Sequence, residues 1–499
     1  MTPSTNYPDW VYKVKQKGTA IMKRGNNFYL YKVKSVWNKK KGRAQYKTEA
    51  YLGKITPDGL IKPKSQRMSD NITEKLHTVT VKEYGASFFM NYMCDDLLEQ
   101  LKKYYPDLWK EIFVFASLRL HYTTPIKNLQ FYYETSFFSE MYPYTYLSDK
   151  QVGQMLREIG LDRNTMSDFM KNFVKGTEYA AIDLTHVFSL SENVISVMPG
   201  HNNTGEYLPQ INLFYLFSID KMKPVYYRMI AGSVTSVTSL KIAVDESGAT
   251  NTVLIGDKGF YSESNVEKLK DALIHYILPL KRDSKKIEYR YVKEENKEMK
   301  FFMFQDRPIW YKKEEKEGET IILYQDPSLK TEEEKNQLMR INKMKDEEKE
   351  KEIKEFQEMR HRLGTISVIT DVKEEGERIY ELLKLRIEIE QLYDTLKNLL
   401  NADRTYMRDE YEMEGWMFVN FIAIMIYYSI YNKLVEHDIL SKYSPKDVLT
   451  HLSRIHGLKI GNGWILSEVP RKSRVVMEKL KIPLVEYFNS FTNKPTDIL

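Results

Sequence analysis

Two short apolar runs near the middle of the chain, Tyr179-Ala180-Ala181-Ile182-Asp183 and Thr252-Val253-Leu254-Ile255-Gly256-Asp257, each end in an aspartate. A short apolar run of this kind predicts a buried strand. A carboxylate at the end of such a strand is costly to bury unless it meets a cation. Turn capping is the plainer account of either aspartate taken alone, so the weight lies on their pairing and on what surrounds them.

Between them lie two further β-rich runs, Ile211 to Ile219 and Pro224 to Ile230, separated by the turn Asp220-Lys221-Met222-Lys223. Ser233 to Ser239 then supply capping side chains for a helix over Leu240 to Val244. Three strands, a helix and a fourth strand, with acids ending the first and the fourth, fit an α/β chain with a ribonuclease H-like mixed sheet. Strand-like Thr365 to Thr370 re-enters this core, followed by a helix from about Glu375 to Leu400 and a buried helix from Met417 to Tyr431. The catalytic core is therefore expected over residues 176–283 and 365–435. Residues 284–364 depart from the pattern and are expected to be an insertion domain before the Glu375–Leu400 helix. They hold strand-like pieces at Lys300 to Tyr311 and Thr320 to Tyr324. The run Thr331 to Arg362 that follows is dominated by Lys and Glu and predicts one long solvated helix. Residues 67–175 are expected to be a helical region serving DNA binding or dimerisation, and 436–499 a helical tail.

With 499 residues, two to four domains are expected. The single cysteine, Cys94, excludes an intramolecular disulfide framework and a Cys-based zinc site. The N-terminus lacks the basic-then-apolar layout of a signal peptide. The longest apolar stretch, Met417 to Tyr431, contains Asn420 and is shorter than the roughly 20 residues of a membrane span. A soluble, cytoplasmic protein without a membrane partner is expected.

The net charge of +6 is unevenly spread: residues 1–54 carry thirteen Lys and Arg against Asp9 and Glu49, or +11, leaving −5 for the rest. Such a concentration suits a polyanion. Phe28 to Lys34 alternates like a strand, and Lys39-Lys40-Lys41-Gly42-Arg43 reads as a basic hairpin tip. Residues 1–66 are accordingly expected to be a basic β-rich DNA-binding module in which Lys39, Lys40, Lys41 and Arg43 meet phosphates. A small solvated sheet with an aromatic core is the alternative.

Hydrolysis of a phosphodiester by two metal ions needs carboxylates converging from different elements, because hard divalent ions take oxygen ligands. A third acid is available in Arg386-Ile387-Glu388-Ile389-Glu390-Gln391-Leu392-Tyr393-Asp394-Thr395-Leu396-Lys397. Ile389, Leu392, Tyr393, Leu396 and Leu400 make one apolar helix face. At about 100° per residue, Arg386, Glu390 and Lys397 fall within roughly 40° of one another beside that face, and Glu388 falls nearly opposite. Glu390 can then bind metal while Arg386 and Lys397 address flanking phosphates. A plain i,i+4 ion pair between Arg386 and Glu390 on a solvated helix is the competing account. No G-x4-G-K-[ST] motif implies ATP, and Ser262 and Ser264 have no general base at a fixed spacing. His186, three residues beyond Asp183, is expected to be a packed or hydrogen-bonding histidine.

These segments resemble the transposases of insertion sequences that have a DDE catalytic core. That family's helix signature, Y-x2-R-x3-E-x6-K, is matched at Arg386, Glu390 and Lys397. Leu383 stands in the tyrosine's place, and Tyr380 lies one turn earlier. Asp183-Leu184-Thr185 matches the family's first-acid segment, and Asp257-Lys258-Gly259-Phe260 matches its second. Ala231-Gly232-Ser233 stands where the family has P-G-N, and Leu278-Pro279-Leu280-Lys281-Arg282 is also similar. The resemblance implies that Asp183, Asp257 and Glu390 are catalytic and hold two Mg²⁺ or Mn²⁺ ions. It implies double-stranded DNA partners, transposon ends and target, and a homodimer in a synaptic complex associated with a prokaryotic nucleoid. Water would open the phosphodiester at the element's end, and the liberated 3′-hydroxyl would attack again. A ribonuclease H-like nuclease without strand transfer and a domesticated, non-catalytic DNA-binding protein are the alternatives.

Overall fold

The computed structural model describes all residues except 1–6, 39–40, 67–78, 201–207, 235, 294–297, 317, 401–403, 406, 462 and 493–499. The chain divides into two compact units. One is Met1–Val81 with Gly457–Ser467 and Asn489–Leu499; the other is Lys82–His456 with Glu468–Phe488.

In the first unit, β1 (Thr19–Arg24), β2 (Asn27–Asn38), β3 (Arg43–Thr56) and β4 (Gly59–Ile61) form an antiparallel sheet in sequence order. The period-2 alternation of β2 sends Phe28 and Leu30 inward, where they join Val11 and Ile55 in a small core with Trp10 and Leu60 at its margin. The register shifts between Leu30 and Tyr31 and between Lys32 and Val33, leaving Leu52 and Glu49 of β3 as the extra residues; Val33 is buried outside this core. Tyr31 and Tyr51 pair at 5.2 Å between ring centres. Further along, where β2 and β3 close at Asn38 opposite Arg43, Trp37 and Tyr46 are 64% and 76% exposed. The apolar core and the aromatic, basic end of the hairpin are thus separate parts of one sheet. Lys41 and Arg43 lie at its exposed tip; Lys39 and Lys40 lie outside the described residues.

The second unit is built on a large mixed sheet surrounded by helices. Its strands of three or more residues are β5 (Tyr179–Ser189), β6 (Pro209–Ser218), β7 (Lys223–Ala231), β8 (Val253–Ile255), β9 (His275–Pro279), β10 (Lys300–Phe304), β11 (Arg307–Lys316), β12 (Glu319–Gln325) and β13 (Thr365–Thr370). Across the sheet they run β10-β11-β12-β13-β9-β8-β5-β6, with β7 also paired to β6. β5, β8 and β9 are mutually parallel, whereas β6 and β7 form antiparallel hairpins with β5 and with each other. The parallel strands are buried on both faces, as their continuous apolar runs require.

Three features differ from the expectations above. The first concerns β5, which continues six residues past Asp183, so the aspartate is not at its end. The second is that β10, β11 and β12 are an antiparallel extension of the same sheet, joined through β12 and β13 over Thr320 to Gln325. Third, the Lys/Glu-rich run is a helical hairpin of α1 (Pro327–Asn342) and α2 (Asp346–Met359). Arg360 Nε lies 3.0 Å from Glu334 Oε1, and Arg340 pairs with Glu352. Residues 26 apart would be about 39 Å apart on one straight helix. These pairs therefore favour the folded-back arrangement over the single rod.

The apolar run expected at Met417 to Tyr431 is the middle of a longer helix, α5 (Glu410–Glu436). By length and composition it is long and apolar enough to cross a membrane, but 67% of its apolar window is buried inside the protein. Arg119, itself buried, donates Nε to Asn420 Oδ1 at 2.8 Å and stacks its guanidinium 4.0 Å from the centre of the Trp416 ring.

Candidate active site

The two aspartates are brought together by strand register. β8 pairs parallel to β5 with Val253 opposite Tyr179 and Ile255 opposite Ala181. Continuing that register by two residues sets Asp257 beside Asp183. Neighbouring strands are about 4.8 Å apart and in-register residues share a face. β8 ends at Ile255 while β5 runs on, so this is the carboxyl edge of the parallel strands, where open α/β sheets leave a crevice. The approach at Gly256, just before the acid, is close: a Cβ there would lie 2.8 Å from Leu278 Cδ2 and 3.3 Å from Ile182, so those side chains would have to shift. Beyond Asp257 the chain makes a short turn, Lys258–Phe260, and Ser262 caps the next helix by accepting from Asn265 N at 3.1 Å. Ser262 is thus accounted for as a cap.

The third acid comes from a helix in pieces. α3 (Gly376–Leu385) ends at Arg386, α4 (Ile387–Asp394) follows, and Thr395–Leu399 form a π-helical turn. At the break, Ile389 N–H donates to Arg386 C=O, a three-residue closure. The continuous 3.6-residue helix expected here is therefore interrupted twice, and the even angular spacing that linked Glu390 to Lys397 does not hold through the π turn. Even so, Arg386, Glu390 and Lys397 face the same cleft as Asp183 and Asp257, a volume of about 640 Å³. The side chain of Glu388 lies outside those described.

Arg386 is the electrostatic centre of this cleft. Its guanidinium lies 3.8 Å from Asp183 Oδ2 and 3.5 Å from Glu390 Oε1. The i,i+4 pair thus exists, but it is one half of a bridge between two acids and is largely buried on the Arg386 side. Burial, reinforced by the Asp257 and Glu390 carboxylates, pushes the Asp183 carboxyl up to about 6, although Arg386 and the Leu184 N–H oppose this. Desolvation therefore outweighs the Arg386 cation beside it. Among the described residues, no three His, Cys, Asp or Glu side chains gather closely enough to hold a metal ion. The donor set nonetheless fits a hard divalent ion: oxygen ligands only, on three elements facing one cleft, with excess negative charge.

Other residues complete the walls. His186, opposite Asn212 in the β5–β6 register, is pushed down to about 4 by burial, with Lys397 adding to the effect, so it stands neutral in the cleft at neutral pH. Asn212 Nδ2 donates to the carbonyls of Gly232 and Val234 at 3.1 Å, tying the Ala231-Gly232-Ser233 turn to the cleft. Tyr393, expected on the apolar face, also lines the cleft, and its buried hydroxyl has no hydrogen-bond partner among the described residues. Tyr380 is fully buried and packs against Phe302, Phe304 and Tyr324. It does not reach the cleft in place of the signature tyrosine. Lys41 and Arg43 belong to the other compact unit.

The raised Asp183 pKa has a stability consequence. Between its ordinary value and about 6 the folded state binds more protons than the unfolded state, so stability falls as pH rises through that window and stays reduced above it. In the absence of metal, Asp183→Asn is expected to melt higher than wild type at pH 7.5, by on the order of 2 kcal/mol, and the gap should close towards pH 4. Thermal melts with a chelator across that range check this. A lower-melting Asn variant at pH 7.5 would show that the charge is not strained.

Residues 183–426, just under half of the chain, match a family model described as the transposase DDE domain. Among solved structures, the chain is similar to a piggyBac transposase synaptic complex with hairpin DNA, at 11% identity and a TM-score of 0.38. That likeness covers 78% of this chain and 77% of the other. It is also similar to a Mos1 transposase paired-end complex with the left transposon end, at 14% identity and a TM-score of 0.14. There 33% of this chain and 56% of the other are covered. A pre-cleavage Mos1 transpososome gives 10% identity and a TM-score of 0.14, over 33% and 57% of the two chains. No curated protein matches the chain.

Proposed function

We propose that the cleft at Asp183, Asp257 and Glu390, in a segment that matches the transposase DDE domain model, cuts the ends of an insertion sequence and joins them to target DNA. The observation that carries this is the parallel register that sets Asp257 beside Asp183, with Glu390 facing them across the cleft. Counted from β5, the strands β5 to β9 lie in the order 3-2-1-4-5 with the second antiparallel to the first, which supports a ribonuclease H-like core.

In this reading the three carboxylates hold two Mg²⁺ or Mn²⁺ ions. Bound there, the ions supply Lewis-acid activation of the attacking oxygen and stabilisation of the leaving one. The chain's own groups do the rest. Arg386, released from Asp183 and Glu390, and Lys397 orient phosphates beside the scissile bond. Neutral His186 and the Tyr393 hydroxyl supply hydrogen-bonding groups to the substrate or its water without adding charge. Hydrolysis frees a 3′-hydroxyl, whose oxygen then attacks a second phosphodiester while another 3′-oxygen leaves. Two copies of the chain acting in one synaptic complex would bring two ends together.

The experiment is incubation of the full chain with linear DNA carrying the sequences that flank its own coding region, with Mg²⁺ or with chelator. Cuts at the element's boundaries that need the metal are expected. No boundary cut with Mg²⁺ or Mn²⁺ would overturn the reading.

The basic hairpin is assigned to DNA phosphates in the same reading. Neutralising Lys39, Lys40, Lys41 and Arg43 together is expected to weaken DNA binding. It should also flatten the salt dependence by about one log–log unit per lost contact. Titrations at several salt concentrations measure this, and an unchanged slope would take the hairpin out of the DNA interface.

A further inference from the structure

A second cavity, of about 470 Å³, adjoins the cleft and shares Asp257 with it. Its other walls carry Lys258, Lys281 and Arg282 on the core side and Glu333 from α1 of the helical hairpin. Lys258 and Lys281 are exposed and make no ion pair among the described residues. Arg282 is engaged: Nη2 lies 2.8 Å from Glu333 Oε1, and Nε donates to the Thr365 carbonyl at 3.1 Å. The second oxygen of Glu333 accepts from the Gly364 N–H at 2.8 Å. One carboxylate is therefore held by a guanidinium and a backbone amide, the donor set that also binds a phosphodiester oxygen pair. On the same wall, Ser367 is 4% exposed and its hydroxyl has no hydrogen-bond partner among the described residues. The wall of this cavity therefore joins three bases to a buried hydroxyl that has no partner among the described residues.

We propose that this cavity binds a backbone phosphate of the DNA strand that continues past Asp257, and that Glu333 occupies the phosphate's place until that strand arrives. The inference rests on the cleft being a DNA-cleaving site. Since the two cavities meet at Asp257, a strand crossing the scissile position leaves one and enters the other. Its phosphate takes Arg282 and the Gly364 amide, gains Lys281, Lys258 and the Ser367 hydroxyl, and displaces Glu333. The helical hairpin loses its ion pair to the core at that moment, so strand binding and hairpin release are coupled. An ion pair that only fastens α1 to the core is the competing account; it predicts changes in melting temperature and none in DNA affinity.

The test is binding, with chelator present so that no cutting occurs, of fluorescein-labelled end-sequence DNA. One probe is a blunt duplex and the other carries a short single-strand extension beyond the cleavage position. The extension is expected to tighten binding to the wild type. That gain should grow by about tenfold in Glu333→Gln and shrink by a similar factor in Lys281→Gln and Arg282→Gln. Blunt-duplex affinity should be nearly unchanged in all three. Arg282 also holds the Thr365 carbonyl, so the exposed Lys281 keeps the test meaningful if Arg282→Gln fails to fold. The same gain in Glu333→Gln, Lys281→Gln and wild type would overturn the inference while leaving the proposed function standing. Failure of wild type to bind the blunt duplex at all would count against the proposed function itself.

Discussion

Asp183→Asn, Asp257→Asn and Glu390→Gln are each expected to reduce metal-dependent cleavage of end DNA by more than about a hundredfold. Losing a group one layer further out from a metal already costs about 10–100-fold, and these three would be the ligands themselves. Each substitution is nearly isosteric, and none removes core packing. Asp257 follows the end of β8, Asp183 stands beside it on β5, and Glu390 is 59% exposed on its helix. Folding and DNA binding should therefore survive. For Asp183→Asn the metal-free protein should even be more stable at neutral pH, since the strained carboxylate is gone. A dead but better-folded variant separates catalysis from stability more cleanly than loss of activity alone. Near wild-type cutting by any one of the three would remove that residue from the site.

The second large effect is expected at Arg386 and Lys397. If Arg386 only paired with Glu390 on an exposed helix, Arg386→Ala would cost a few tenths of a kcal/mol and little activity. The arrangement is different: Arg386 is mostly buried and bridges Asp183 as well as Glu390. Arg386→Ala should stay folded and lose cleavage and strand transfer by about tenfold or more, because charge-assisted contacts to a phosphate are lost. Arg386→Lys should recover only part, since a lysine cannot bridge two groups as a planar fork does. Lys397→Ala should show a similar loss, with apparent DNA affinity at the cleft falling alongside it. Melting temperature and strand transfer measured on the same preparations decide the matter. Normal transfer in both alanine variants would reduce Arg386 to a structural ion pair and leave the three acids as the working part of the motif.

Much of this arrangement was legible in the sequence because it depends on short-range pattern. The apolar runs leading to Asp183 and Asp257 specify strands, and placing those strands side by side is enough to bring the acids together. The Arg386–Glu390 spacing was legible for the same reason, whereas Lys397 reaches the cleft from the π turn. The rest depends on partners distant in the chain. Nothing local to Asp183 reveals that β5 continues to Ser189, since what permits it is pairing with β6 along its whole length. The strands of residues 300–325 carry ordinary alternation, and their membership of the core sheet follows from β12 meeting β13, some forty residues later. The π turn at Thr395–Leu399 breaks a sequence whose apolar spacing favours a regular helix, so periodicity alone misses it. Tyr393 shows the same limit: its spacing marks a core residue, while its position at the edge of the cleft is a property of the folded neighbourhood.

The central claim, that one carboxylate cleft both cuts and joins, is tested most directly by strand transfer from pre-cut ends. The full chain, Mg²⁺ and a supercoiled target are incubated with end DNA bearing either a 3′-hydroxyl or a 3′-deoxy terminus. Joined product is expected from the 3′-hydroxyl ends alone, and it should disappear with chelator and in Glu390→Gln. Metal-dependent boundary cutting with no joined product from 3′-hydroxyl ends would contradict the claim and make the chain a nuclease.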